Sequence, residues 1–129
     1  MAPSPDAFSY ASLRVVPDIE REEFLNAGLV LFCRPRRWLL ARSELDEAAL
    51  GALRDGCDVE AIRGQLRLIE RIAAGDPEAA PIGGMEQSER FHWLTTPRST
   101  LVQPGPIHGG VTDDPEATFA HLFRVLVER

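Results

Sequence analysis

The sequence predicts an α+β domain: a small, mainly antiparallel sheet of about four strands, with three to four helices packed on one of its faces. Short apolar segments typical of strands crowd into the first third of the 129-residue chain. Segments with helical periodicity occupy most of the remainder. Strands and helices do not alternate as they would in a parallel sheet. A chain of this length is expected to form one domain, which we place at residues 8–129 after a disordered lead at 1–7.

The early part of the chain predicts three strands. Residues 8–17, "FSYASLRVVP", alternate in polarity and end at Pro17, which is typical of a strand. Residues 26–33, "NAGLVLFC", are the most apolar run, so we expect a central strand buried on both faces. A short turn at 34–37 leads into "WLLAR", residues 38–42, and the short connection predicts an antiparallel hairpin.

Two helices are predicted next, each with start and stop signals. Ser43, three residues before Asp46, resembles a capping box and predicts a short helix that ends near Gly56. Asp58 is expected to cap the longest helix, in which apolar residues recur at helical spacing until Gly75.

The last third of the chain predicts a further strand and a terminal helix. Residues 85–94 are compatible with a helix, and residues 98–103 with a short strand. We expect a loop from there to Thr112. Asp114 as the cap and Pro115 at the first helical position predict the final helix, which carries a clear apolar stripe.

Composition narrows the function classes. Fourteen basic residues against twenty acidic ones give a net charge of −6, which argues against nucleic acid as a partner. No apolar run is long enough to span a membrane, and the first residues lack the features of a secretory signal. Cys33 and Cys57 have no metal-binding or redox spacing, so we expect reduced thiols in the cytoplasm.

Recognised catalytic and cofactor motifs are missing from the sequence. The three histidines lack the spacing of a metal site, so no metal is expected. No glycine-rich phosphate-binding loop is present, and no cofactor is expected. The sequence also lacks the standard nucleophile motifs of hydrolases. Whether the protein is an enzyme is left open, with a non-catalytic role favoured.

Two arginines are the leading candidates for a binding site. Arg14 is the sole charge within the first predicted strand, and Arg98 opens the last one. An arginine whose head leaves water needs an anion or a carboxylate partner. If these strands are neighbours, both arginines could face His108 and the start of the final helix, where anions are favoured. With Ser99, they would form a small-anion-binding or enzymatic site.

The alternative is a purely internal network. Arg14 or Arg98 would then pair with Asp113, Asp114 or the acidic segment 18–23, and no ligand would be needed. The direction in which the two arginine heads point distinguishes the two hypotheses.

A second basic group lies at the predicted hairpin tip. Arg34, Arg36 and Arg37 precede Trp38, and such arginine–aromatic mixtures can bind phosphates or bases by charge and stacking. The same residues also suit a charged turn that keeps a strand edge soluble.

Two long segments carry a family resemblance. "YASLRVVPDIEREEFLNAGLVLFC" and "PRSTLVQPGPIHGGVTDDPEATFAHLF" resemble the bacterial family DUF3037, and the resemblance covers nearly the whole chain. It combines Arg-x-x-Pro and an Asn-x-Gly strand with Arg-Ser-Thr, Pro-x-His-x-Gly and Asp-Pro-Glu. The matched positions are Arg14, Pro17, Asn26, Gly28, Arg98, Ser99, Thr100, Pro106, His108, Gly109, Asp114 and Pro115.

The resemblance implies a small cytosolic adaptor or protein-interaction module with a HipA-like kinase as its partner, and it brings no catalytic residue with it. The small size and the restricted loop before the final helix favour the same class. The candidate binding residues are Arg14, Asn26, Arg98, Ser99, His108 and Asp114, with Arg34, Arg36, Arg37 and Trp38 as a secondary basic patch.

Overall fold

A computed structural model describes residues 5–128 and confirms the α+β fold class. Its helices and strands follow the predicted order, with one additional strand before the final helix. The elements are β1 (Asp6–Asp18), β2 (Glu23–Cys33), β3 (Trp38–Ser43), α1 (Glu47–Leu53), α2 (Val59–Ala74), α3 (Gln87–Thr95), β4 (Val102–Pro104), β5 (His108–Thr112) and α4 (Pro115–Leu126).

The sheet is antiparallel and is built around the long strand β1. Its strand order is β3-β2-β1-β4, and β5 also pairs with β1. Strand β4 pairs with β1 at residues 13–15, whereas β5 pairs with it at residues 6–10. The predicted hairpin of β2 and β3 is confirmed. One edge of β1 therefore holds two short strands in succession.

The ends of β1, β4 and β5 differ from the prediction. Residues 108–112 form a strand instead of the expected loop, and β4 covers 102–104 instead of 98–103. Strand β1 begins at Asp6, within the predicted lead, because Asp6 and Ala7 pair with β5. Residues 1–4 of that lead lie outside the described part of the chain. The glycines of β5 give no local strand signal, so its pairing with β1 fixes its conformation.

Helices cover both faces of the sheet, so the expectation of helices on one face is wrong. Helices α1, α2 and α3 pack on the first face, over residues such as Leu13, Val15 and Val30. Helix α4 packs on the second face, over Leu29 and Leu31. Strand β2 is buried on both faces, as its apolar run predicts, and the second of these faces needs a cover of its own.

A bulge in β2 determines which residues reach each face. Leu13 pairs with Gly28 and Arg14 pairs with Asn26, so Ala27 is an extra residue in the strand. The extra residue keeps Ala27 in the first core together with Val30, although the two positions differ in parity. It also places Asn26 on the second face, directly beside Arg14.

The helix starts are close to prediction. The carboxylates of Asp58 and Asp114 accept hydrogen bonds from Ala61 and Ala117, so both predicted caps are confirmed. Helix α1 is capped by Asp46 instead of Ser43, whose hydroxyl bonds the Glu70 carboxylate. Within residues 5–128, no helix combines the length and apolarity needed to cross a bilayer.

Candidate functional site

The candidate site is a row of polar side chains on the second face of the sheet. Asn26, Arg14 and Gln103 sit side by side on β2, β1 and β4, and we call them the polar row. They lie outside the apolar cluster formed with α4. The Arg14 guanidinium carbon is 3.9 Å from the centre of the Phe24 ring, which is 44% exposed. The exposed Phe24 ring therefore borders the polar row and makes a cation–π contact with Arg14.

Arg14 lacks a polar partner in residues 5–128. No hydrogen bond or ion pair joins it to these residues, and its buried Nε has no acceptor. The buried Oδ1 atom of Asn26, directly across the strand pair, has no donor. A buried polar group left unpaired costs about 1–3 kcal/mol. Since native proteins pair such groups, these adjacent unpaired atoms are the main feature that distinguishes the site.

The Pro-Gly-Pro turn after β4 packs directly on Arg14. The Gly105 amide donates to the Ser12 carbonyl over 2.8 Å. A Cβ atom at Gly105 would lie 3.0 Å from Arg14 Nε and 2.6 Å from Ser12 Oγ. Glycine is therefore needed for the close approach of this turn, and the turn is what shields Arg14 Nε from solvent.

The internal pairing expected for Arg14 does not form among the described residues. Within the acidic segment, Asp18 binds Arg54 at 2.9 Å and Glu23 binds Arg21. Asp114 is occupied as the cap of α4. Each of these carboxylates serves a neighbour other than Arg14, because the strand geometry turns the Arg14 head to the second face, beside Phe24.

Arg98 and Ser99 lie elsewhere in the structure. The Arg98 guanidinium stacks 4.3 Å from the Trp93 ring centre and donates to the carbonyl groups of Trp93 and Thr96. It thus closes the C-terminal end of α3, and partial burial lowers its pKa. Ser99 lines a shallow depression at the end of β1, beside Pro17. Neither residue takes part in the polar row, so the predicted convergence of four side chains does not occur.

His108 shares a face with Arg14 but not a site. It pairs with Tyr10, and the two rings are 5.5 Å apart. Tyr10 and Arg14 are four residues apart on β1, which corresponds to about 13 Å. The neighbouring Gly110 lies under Phe8, whose ring would be 2.8 Å from an added Cβ atom. The His-Gly-Gly segment thus packs against the aromatic side chains of β1.

The predicted basic patch at the hairpin tip is divided between separate environments. Arg36 Nε donates to Asp6 at 2.7 Å, and this hydrogen bond raises the pKa of Arg36. Trp38 points to the second face and packs edge-on to Phe119, so it does not stack with the arginines. Arg34 and Arg37 line a cleft against α3 instead. In the described part of the chain, neither has an ion-pair partner.

Sequence reasoning overlooked Phe24 and Gln103, which complete the surroundings of Arg14. Phe24 stands two residues before Asn26 in a strand, and this period of two was the available signal that they share a face. Gln103 had no such signal, because its place beside Arg14 depends on the pairing of β4 with β1.

The fold and the site define a small α+β domain whose antiparallel sheet is covered by helices on both faces and carries the polar row on its second face. Within residues 5–128, no group of three or more histidine, cysteine or acidic side chains could hold a metal ion. The chain belongs to the family described as "Protein of unknown function (DUF3037)", whose model matches residues 10–127. No curated protein and no solved structure matches it.

Proposed function

We propose that this protein is a small adaptor module whose polar row binds an acidic side chain of a partner protein. The observation that carries the proposal is the half-buried Arg14, which has no polar partner in residues 5–128. A guanidinium offers a planar fork of donors that fits both oxygens of a carboxylate. The bound carboxylate would accept from the outer guanidinium nitrogens of Arg14, since Nε itself lies beneath the Gly105 turn.

The partner is expected to be a polypeptide because Asn26 lacks a hydrogen-bond donor, whereas Arg14 lacks an acceptor. Its buried Oδ1 requires a donor, which a simple anion such as acetate does not carry. A peptide supplies a carboxylate for Arg14 and, once the Asn26 amide turns outward, a nearby backbone N–H for its Oδ1. The exposed ring of Phe24 adds the aromatic surface on which interfaces commonly depend.

The family resemblance supports a HipA-like kinase as the first partner to test. The cytoplasm is the proposed location, since Cys33 and Cys57 are both free thiols. We expect co-expression with such a kinase from the same genome to give a stable complex.

The variant Arg14→Ala tests whether the polar row contributes to the affinity of this complex. Losing charge-assisted hydrogen bonds to a carboxylate weakens binding by about 10- to 100-fold. Arg67→Ala is the matched control, because Arg67 is an exposed arginine on α2, on the other side of the sheet. Titration calorimetry of the purified kinase with each purified variant would measure the two dissociation constants. Equal affinity of Arg14→Ala and the wild-type protein would refute the role of the polar row.

A peptide titration tests the site without assuming the partner. Short capped peptides that contain aspartate are expected to shift the amide resonances of Arg14 and Asn26, and the asparagine analogues are expected not to. If both peptides shift these resonances equally, or neither does, carboxylate recognition at the polar row is wrong.

A further inference from the structure

A cleft with a polar lining lies beside the β2–β3 hairpin turn, on the face of the sheet opposite the polar row. A cleft of about 530 Å³ opens between the hairpin turn and the start of α3, with Phe32 at its base. This volume falls within the range of small-molecule sites, about 300–1,000 Å³. Its polar lining consists of Arg34, Arg37, Glu86, Gln87, Ser88 and Arg90.

The cleft is locally positive although the chain carries a net charge of −6. Three arginines line it against one acidic residue, Glu86. Arg34 and Arg37 form no ion pair with the described residues, whereas Arg36 of the same turn binds Asp6. Arg90 is 8% exposed, and it donates to backbone carbonyls instead of a carboxylate. The positive charge of the cleft is therefore left largely unbalanced.

The cleft walls are fixed to each other before any ligand binds. Gln87 Nε2 donates to the Arg37 carbonyl over 2.8 Å, which joins α3 to the hairpin turn. The Arg37 amide donates to the Arg34 carbonyl over 3.0 Å, and Arg37 adopts a left-handed conformation with φ of 52°. These bonds keep Arg34 and Arg37 beside α3, so less conformational entropy is lost on binding.

We propose that this cleft binds a phosphate monoester. Two free guanidinium groups and the Ser88 hydroxyl offer more donors than one carboxylate can accept, whereas a phosphate has three acceptor oxygens and nearly two charges. The first amides of α3 add to the positive potential, because Glu86 makes no side-chain cap there. Phe32 is 9% exposed, so it gives the base of the cleft a small apolar surface next to the bound phosphate.

The test is a titration of the full chain with phenyl phosphate, followed by the amide resonances of Gln87 and Ser88. We expect saturable shifts, and about tenfold weaker binding in the double variant Arg34→Ala/Arg37→Gly. Glycine is chosen at position 37 because it retains the left-handed turn without strain. Benzoate, which has one negative charge, is expected to bind at least about tenfold more weakly than phenyl phosphate.

Arg36→Ala is the matched control, because it removes one guanidinium from the same turn but outside the cleft. It is expected to change the phenyl phosphate affinity less than about twofold. The double variant removes two positive charges and Arg36→Ala removes one. A loss of binding free energy in Arg36→Ala that is half or more of the loss in the double variant would show that net charge alone drives binding and would overturn the site. The same conclusion follows if phenyl phosphate gives no saturable shifts at Gln87 and Ser88.

Two further probes identify the source of the phosphate. Adenosine monophosphate that binds more tightly than phenyl phosphate supports a small-molecule ligand, and a phosphoserine peptide that does so supports a phosphorylated protein. If neither binds to the cleft, the phosphate monoester proposal is refuted. Arg14→Ala is expected to leave all these affinities unchanged, so failure of one site is distinguishable from failure of the other.

Discussion

Replacing Arg14 with methionine is expected to stabilise the free protein while weakening binding at the polar row by about 10- to 100-fold. In the free protein, Arg14 Nε is buried without an acceptor, a state that costs about 1–3 kcal/mol. Methionine fills a similar volume with no polar atom. A residue retained for function in spite of its cost to stability is expected to behave in this way.

The substitution also removes a favourable contact, the one between the Arg14 guanidinium and the Phe24 ring. The cation–π contact over this exposed ring is worth about 0.5–1 kcal/mol. A methionine sulfur beside the same ring returns about 0.3–1.5 kcal/mol. The two contacts with Phe24 therefore nearly cancel, and removal of the unpaired Nε is the larger effect. We expect the free energy of unfolding of Arg14→Met to be about 1 kcal/mol higher than that of the wild-type protein. For a chain of this length, that corresponds to a melting temperature about 3–5 °C higher.

Urea unfolding of wild-type protein and Arg14→Met would measure this difference at neutral pH. Arg90→Met is the control, because Arg90 is also buried but donates to the carbonyls of Ile72, Ala73 and Met85. Loss of these bonds is expected to cost about 3 kcal/mol or more. If Arg14→Met unfolds more easily than wild type by over about 1 kcal/mol, Arg14 is structural and the reasoning is refuted.

Three further predictions concern stability. Gly28→Ala places a Cβ atom 2.8 Å from the Arg42 carbonyl oxygen and should cost about 1–3 kcal/mol in urea unfolding; an unchanged midpoint would contradict this. Asp114→Ala removes the α4 cap and should cost about 1 kcal/mol by the same assay, whereas Asp114→Asn should retain most of it. The hydrogen bond from Arg71 lowers the pKa of Asp76. The ionised Asp76 should therefore stabilise the fold above pH about 4, and this stabilisation should disappear on acidification. In Asp76→Asn, the melting temperature should fall less on acidification than it does in the wild-type protein.

Local signals in the sequence were sufficient where the interactions themselves are local. The carboxylates of Asp58 and Asp114 bond amides three residues away, so these helix starts follow from the sequence alone. The β2–β3 hairpin joins strands that are adjacent in sequence, and its short turn fixes their antiparallel pairing. The apolar run of β2 likewise predicted burial on both faces, which the structure confirms.

The candidate site could be predicted only in part. Arg14 and Asn26 were both identified as candidates, but their adjacency depends on a bulge at Ala27, which no local signal reveals. Arg98 attracted the same interpretation as Arg14, since both are arginines assigned to strands. In the structure, Arg98 donates to a carbonyl group at the end of α3, whereas Arg14 has no hydrogen-bond partner in the described residues.

The fold class, the caps of α2 and α4 and the buried central strand follow from the sequence alone. Long-range contacts are needed to make His108–Thr112 a strand, to place α4 on the second face, and to shield Arg14 with the Gly105 turn. The difference lies in the range of the interactions. Caps and hairpins involve residues a few positions apart, whereas the surroundings of Arg14 combine strands from both ends of the chain, and their contacts exist only once the sheet has formed.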